Sequence, residues 1–213
     1  NAGELKIENA VIKNNTAKEY GGAIYNSGVA KIVDTSFIDN KASKDGGAIY
    51  NDGGKIEIVA SSKNIVFSGN TIDNNDTARD NASAPVPNDI TMSNNGDKIA
   101  EITFNGPKSI TLNGGIKGEG IINKNGTGNL VLNSNNSQFT GDVHYNDGTT
   151  TLVQGAQYFS AANTHFNNGA KLNLANNSAT DKINFGNLHM DGNGKLGIDV
   201  DMNTGLSDTI AAN

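Results

Sequence analysis

The residues of this chain best suited to chemistry are three histidines, His144, His165 and His189, separated by 21 and 24 residues. Imidazoles at near-equal spacing in a repeating chain would gather on one side of the fold, where they could hold a metal or move protons. No HExxH pair or other close ligand spacing accompanies them, and each sits in a polar run, so surface histidines and no metal site are expected. Asp199 and Asp201 alternate with Ile198 and Val200, which puts both carboxylates on one outward strand face, as a lyase or glycosidase would require. An alternating solvated strand accounts for the same pattern, and the remaining acidic residues are scattered. The DGNGK run from Asp191 to Lys195 begins like a calcium loop, but Lys195 falls on a ligand position and a turn is expected. No serine lies in a GxSxG elbow. The sequence therefore assigns no catalytic residue, no metal and no cofactor.

Two other features point to binding. Tyr25 and Tyr50 directly follow Ile24 and Ile49, so isoleucines in the core would turn both tyrosines outward into a short aromatic ladder. Such a ladder could take a glycan or a protein partner, or simply stabilise neighbouring copies of the repeat. Arg79, the single arginine, lies in the polar stretch TIDNNDTARDNASAPVPN from Thr71 to Asn88, which contains Pro85 and Pro87 and has no alternation. This stretch is predicted to leave the body as a protruding loop, a common place for recognition. Tyr25, Tyr50 and Arg79 are the candidate binding residues.

The elements that must position them come from an internal repeat. GELKIENAVIKNNTAKEYGGAIYN from Gly3 aligns with GVAKIVDTSFIDNKASKDGGAIYN from Gly28 at a 25-residue offset, and GGAIYN recurs at Gly21 and Gly46. A third copy begins at Gly53, carries one extra residue before Ile56 and Ile58, and reaches Phe67 and Asn70. Within each copy the apolar residues alternate, as in Leu5/Ile7, Ala30/Ile32 and Ile56/Ile58, which is strand spacing. Gly, Asn and Asp break the pattern too often for helices. A unit this short, without a helix, matches neither a propeller blade nor a leucine-rich repeat, which leaves a parallel β-solenoid. Its rungs should stack Phe37 on Phe67 and Ile24 on Ile49 about 4.8 Å apart. Asn15, Asn40 and Asn70 should form a corner column, where asparagine takes a left-handed turn and passes amide hydrogen bonds between rungs.

Strand-like runs resume at Ile102–Phe104 and continue to Val200 with weaker periodicity, so the expected architecture is all-β, a right-handed parallel β-helix of about nine rungs. One domain, 1–213, is read, with regular repeats over 1–70, the loop at 71–88 and less regular rungs over 89–213. The chain has 213 residues, a net charge of −6, no cysteine and 35 asparagines. Disulfides and thiolate metal sites are excluded, and an acidic chain with one arginine has no surface for nucleic acid. A chain that opens on Asn1 and ends after Ala212 without a polar cap is read as a processed piece whose final edge is covered by further sequence or another chain.

FIDN at Phe37–Asn40 and FSGN at Phe67–Asn70, alternating with GGAI at Gly21–Ile24 and Gly46–Ile49, resemble the FxxN and GGAI repeats of polymorphic outer membrane proteins and related autotransporters. The first copy departs, with Ile12 in place of Phe. NGTGNLVLNSNNSQFTGDVHYNDGTTTL from Asn125 to Leu152 is similar to the autotransporter-associated β-strand repeat. The resemblance implies a passenger domain at the bacterial cell surface or secreted, attached to membrane only through a C-terminal β-barrel outside this sequence. An adhesive or structural surface protein binding a host-cell receptor, a glycan or another copy of itself is expected. The alternative is a β-helical carbohydrate-active enzyme such as a polysaccharide lyase or depolymerase.

Overall fold

The computed structural model describes residues 1–74, 83–153, 159–167 and 169–212, and among these every regular element is a strand. Alternation inside the strands matches alternation in burial. In Lys55–Val59, Ile56 and Ile58 are buried while Lys55 faces out. The strands stack as the repeat dictates, because parallel pairing brings each residue over its counterpart in the next copy. Ile7 lies over Ile32 and Ile32 over Ile58.

Two parallel sheets of eight strands run the length of the molecule. One is built from Glu4–Glu8, Val29–Val33, Lys55–Val59, Glu101–Asn105, Ile121–Lys124, Asp142–Tyr145, Asn163–Phe166 and Asn187–Met190. The other begins at Val11–Lys13 and ends at Lys195–Gly197. A third face of four strands, Ile24–Asn26, Ile49–Asp52, Ile90–Ser93 and Ile116–Gly118, closes the first half of the coil. Thr209–Ala212 stacks on Lys182–Phe185 and so belongs to the eighth turn, which Asn187–Met190 and Lys195–Gly197 begin. The molecule is a right-handed parallel β-helix, the hand that twisted strands favour when a crossover returns to the same sheet.

Rung size changes along the axis. Glu4 pairs with Val29 and Val29 with Lys55, but Lys55 pairs with Glu101, because the third rung carries the 71–88 insertion. Thereafter Glu101 pairs with Ile121 and Ile121 with Asp142, shorter circuits of which the first still supplies Ile116–Gly118 to the third face, that sheet's last strand among the described residues. Thr71–Asn74 continues a corner sheet from Lys41–Ala42, and Ser83–Pro87 folds back on it antiparallel with Ile72 opposite Val86. Residues 75–82 lie outside the described residues.

The repeat motifs have separate physical jobs. Phe37 and Phe67 stack inside the core with centroids 4.7 Å apart, and neither is exposed. Asn15 donates its side-chain amide to Asn40 at 2.9 Å, and Asn40 to Asn70 at 3.0 Å. The left-handed turn expected at these asparagines falls one residue earlier, at Asn14, Asp39 and Gly69, with φ of 58°, 52° and 66°. That turn is what swings the following asparagine inward, so the ladder residue itself needs no special backbone. In GGAI the first glycine supplies positive φ, 64° at Gly21 and 69° at Gly46. The second allows close approach: a Cβ on Gly47 would lie 2.3 Å from the Asn88 carbonyl oxygen.

Candidate functional site

Tyr25 and Tyr50 stand on the third face, in strands that put Ile24 and Ile49 into the core and the next residue outside. Their rings stack at 5.5 Å with planes 14° apart. Tyr20 joins them, 4.6 Å from Tyr50 and tilted by 41°. Repetition could not reveal Tyr20, because its register partner in the next rung is Asp45. The phenol of Tyr25 donates to Asp52 Oδ2, which also accepts from Asn95 Nδ2 at 3.0 Å. The hydrogen bond to Asp52, with burial and the carboxylate's charge acting the same way, pushes the Tyr25 phenol up to about 12. At neutral pH it is therefore a fixed donor and no proton carrier. Lys44 lies 5.2 Å over the Tyr20 ring and pairs with Glu19 at 2.8 Å.

Because Tyr25 and Tyr50 cover one another's faces, the cluster offers ring edges and a polar rim to a partner. Around the adjacent corner, a groove of about 530 Å³ is lined by Val29, Gly53, Lys55, Lys98, Ile99 and Glu101. Val29 and Ile99 are both about half exposed there, at 54% and 52%. The groove is continuous with the cluster through Asp52–Gly53 and through Asn95, which exchanges backbone bonds with Lys98. This arrangement suits apolar contact bordered by hydrogen bonds. Arg79, the third candidate, lies outside the described residues.

The three histidines come together on the outer face of the first long sheet, in register His144, His165, His189. His144 and His165 stack at 4.9 Å, and His165 and His189 approach to 5.8 Å. Among the described residues no group of three or more His, Cys, Asp or Glu side chains is arranged to hold a metal. Asp199 and Asp201 both line one open groove of about 490 Å³, but each carboxylate is engaged by a turn at its edge. Asp199 Oδ2 accepts the backbone N–H groups of Asn176 and Asn177, at 2.6 and 2.8 Å. Asp201 accepts from the backbone of Asn203 and the hydroxyl of Thr204. Both carboxylates fasten turns.

Among the buried charged groups, Asp89 and Lys124 were invisible to the repeat. Asp89 lies where the chain rejoins the coil after the insertion, and Lys124 occupies a core column between Phe104 and Tyr145. A lone Asp or Lys in a chain this rich in polar residues carries no sequence signal of burial.

Comparison with known proteins agrees with the geometry. Residues 9–27 and 34–52 match the Chlamydia polymorphic membrane protein repeat, the stretches that supply the asparagine ladder and the double glycines. The chain is 28% identical over 174 residues to the probable autotransporter YfaL of Escherichia coli (strain K12), covering 77% of this chain and 12% of that protein. It thus spans only a small part of the curated relative it matches. No solved structure matches it. The repeats, the autotransporter similarity and the parallel β-helix converge: this chain is similar to autotransporter passengers built on polymorphic-membrane-protein-type repeats, a likeness that indicates exposure at the outer-membrane surface or secretion.

Proposed function

We propose that this chain is an adhesive stretch of its passenger, binding a host-cell receptor, a surface glycan or a neighbouring cell through the third face. The observation behind this reading is the Tyr20–Tyr25–Tyr50 cluster, continuous with the Val29–Ile99 groove on a body made rigid by stacked sheets. Aromatic side chains carry large contact area at low entropic cost, so three on one face make an anchor for a partner. The commitment of Asp199 and Asp201 to turns favours this reading over a carbohydrate-active enzyme.

Purified protein is tested for retention on glycan arrays and whole cells, with released sugar recorded in the same wells. Retention without product, reduced at least about tenfold in Tyr25→Ser/Tyr50→Ser, is the expected result. Retention untouched by the substitutions removes the cluster as the site. Product release would replace adhesion with catalysis.

A further inference from the structure

The histidine column has no part in the proposed adhesive face: the tyrosine cluster lies on the third face, and the groove beside it draws Val29, Lys55 and Glu101 from earlier rungs of the long sheet. The column stands in line with Asn123 on the outer face of the first long sheet, so an uncharged amide below gives way to three imidazoles above. Parallel in-register stacking gives those imidazoles no freedom to separate while the strands remain paired. Neutral rings stack favourably in this arrangement. Protonated rings at 4.9 and 5.8 Å repel one another, and the middle one, His165, meets a like charge on both sides.

We propose that His144, His165 and His189 form an acid-responsive element that holds the last three rungs of the first long sheet closed near neutral pH and loosens them on acidification. The last of these rungs is weakly held: Leu188 is only partly buried, Met190 is 46% exposed and Leu196, beside it on the second long sheet, is 47% exposed, whereas Thr164, Phe166 and Leu172 one rung earlier are buried.

The surrounding charges do not neutralise the column. Asp142 is beside His144 on the same strand, but its carboxylate is shared with the Asn163 amide at 3.0 Å. Asp191 pairs with His189 at 2.9 Å and attends only the last ring. Glu101 reaches Asn123 from below and pairs with Lys55. On the core side of this sheet lies Lys124, whose ammonium is turned to the corner and held by backbone carbonyls. Among the described residues, then, no carboxylate is given over to His165.

His144 already shows the consequence: burial, and then the charge of His165, hold it below the ordinary imidazole value, with Asp142 opposing. A histidine depressed in the folded state binds fewer protons than in the unfolded state. Its contribution is fully present above the unfolded value and is lost as pH falls through the folded one. Acid is thus the loosening direction.

Hydrogen exchange by mass spectrometry on the intact protein reads the effect strand by strand. Between pH 7.5 and 5, protection factors in Asp142–Tyr145, Asn163–Phe166 and Asn187–Met190 should fall by about tenfold or more, while Lys55–Val59 holds. In His144→Asn/His165→Asn/His189→Asn, which extends the amide column that Asn123 begins, the fall should disappear. Should the triple variant fail to fold, His165→Asn alone removes both ring contacts and should abolish most of the fall. An unchanged wild-type profile, or the same acid loss in the variants, overturns the proposal.

Discussion

Asn70 donates its side-chain amide to Asp89 Oδ1 at 2.9 Å, and with that bond the asparagine ladder ends on a carboxylate. The reason lies on the far side of Asp89, where Oδ2 accepts the backbone N–H of Gly114 at 2.6 Å. Both neighbours are donors. Another asparagine would have to turn its own N–H toward one of them, whereas a carboxylate accepts from both.

Asp89 is fully buried, and burial pushes its carboxyl up to about 6, with the Asn70 amide and the backbone of Gly114 and Asn113 pulling it down. An acid raised in the folded state binds more protons there than when unfolded, so the stability it contributes is lost as pH rises from about 4 to about 6. The loss is on the order of 3 kcal/mol. Asp89→Asn should flatten this segment of the stability profile, measured by urea unfolding at several pH values. An unchanged slope would assign the acid dependence to other groups.

Phe67 is stacked on Phe37 and fully buried, so Phe67→Ala opens a cavity at the centre of a narrow core. Large-to-small changes of this kind cost about 3–5 kcal/mol. Rungs are held chiefly by their neighbours, so the loss should concentrate around Ser36–Ile38 and Ile110–Leu112, which flank that strand. Denaturant unfolding and peptide-level exchange check the two parts. Uniform loosening along the whole axis would contradict the nearest-neighbour picture.

What could be read in the sequence follows the repeat. Ile24 over Ile49, Phe37 over Phe67, and Tyr25 beside Tyr50 were all legible, because a solenoid converts sequence offset directly into spatial contact. The asparagine ladder was legible too, but its left-handed residue was assigned one position late, since both Asn14 and Asn15 have the chemistry for it. The histidines could be brought to one side by spacing alone, while their ring stacking required the register of the shortened rungs. Tyr20, Asp89 and Lys124 sit where the repeat is broken or substituted, and there offset says nothing about neighbours. The ends of the 71–88 stretch were hidden for a similar reason: Ile72 and Val86 look isolated in sequence and become partners only when the hairpin closes.

The two demands that GGAI makes on its glycines, positive φ and close approach, can be separated experimentally by setting Gly47 beside Gly96, a glycine of another turn. A Cβ at Gly47 would lie 2.3 Å from the Asn88 carbonyl oxygen and 2.6 Å from the Thr71 backbone nitrogen, both fixed in neighbouring strands. Gly96 has positive φ, 59°, but a Cβ there meets nothing within 4 Å. Gly96→Ala should therefore cost about 1 kcal/mol from backbone strain alone. Gly47→Ala must push rungs apart and should cost several times more, or prevent folding. Thermal unfolding of the two variants side by side decides the matter, and equal costs would show that close approach at Gly47 is easily relieved.

Lys124 tests how this fold tolerates a charge inside a core column. Its stem lies between Phe104 and Tyr145, and its ammonium donates to the carbonyls of Asn125, Gly126 and Asp147 at 3.2, 2.7 and 3.0 Å. Burial pulls it down to about 8, and the charge of Asp147 opposes. A lysine depressed in the folded state sheds its proton before the unfolded chain does. The folded protein is therefore stabilised as pH rises from about 8 toward the unfolded value near 10.5, and it bears the full cost of the buried charge below about 8. Lys124→Met keeps the stem's packing and removes the titration, at the expense of three carbonyls left without a donor. The difference in unfolding free energy, wild type minus variant, should climb between about pH 8 and pH 10. A flat difference would mean that the three carbonyls compensate the ammonium fully for the water it has lost.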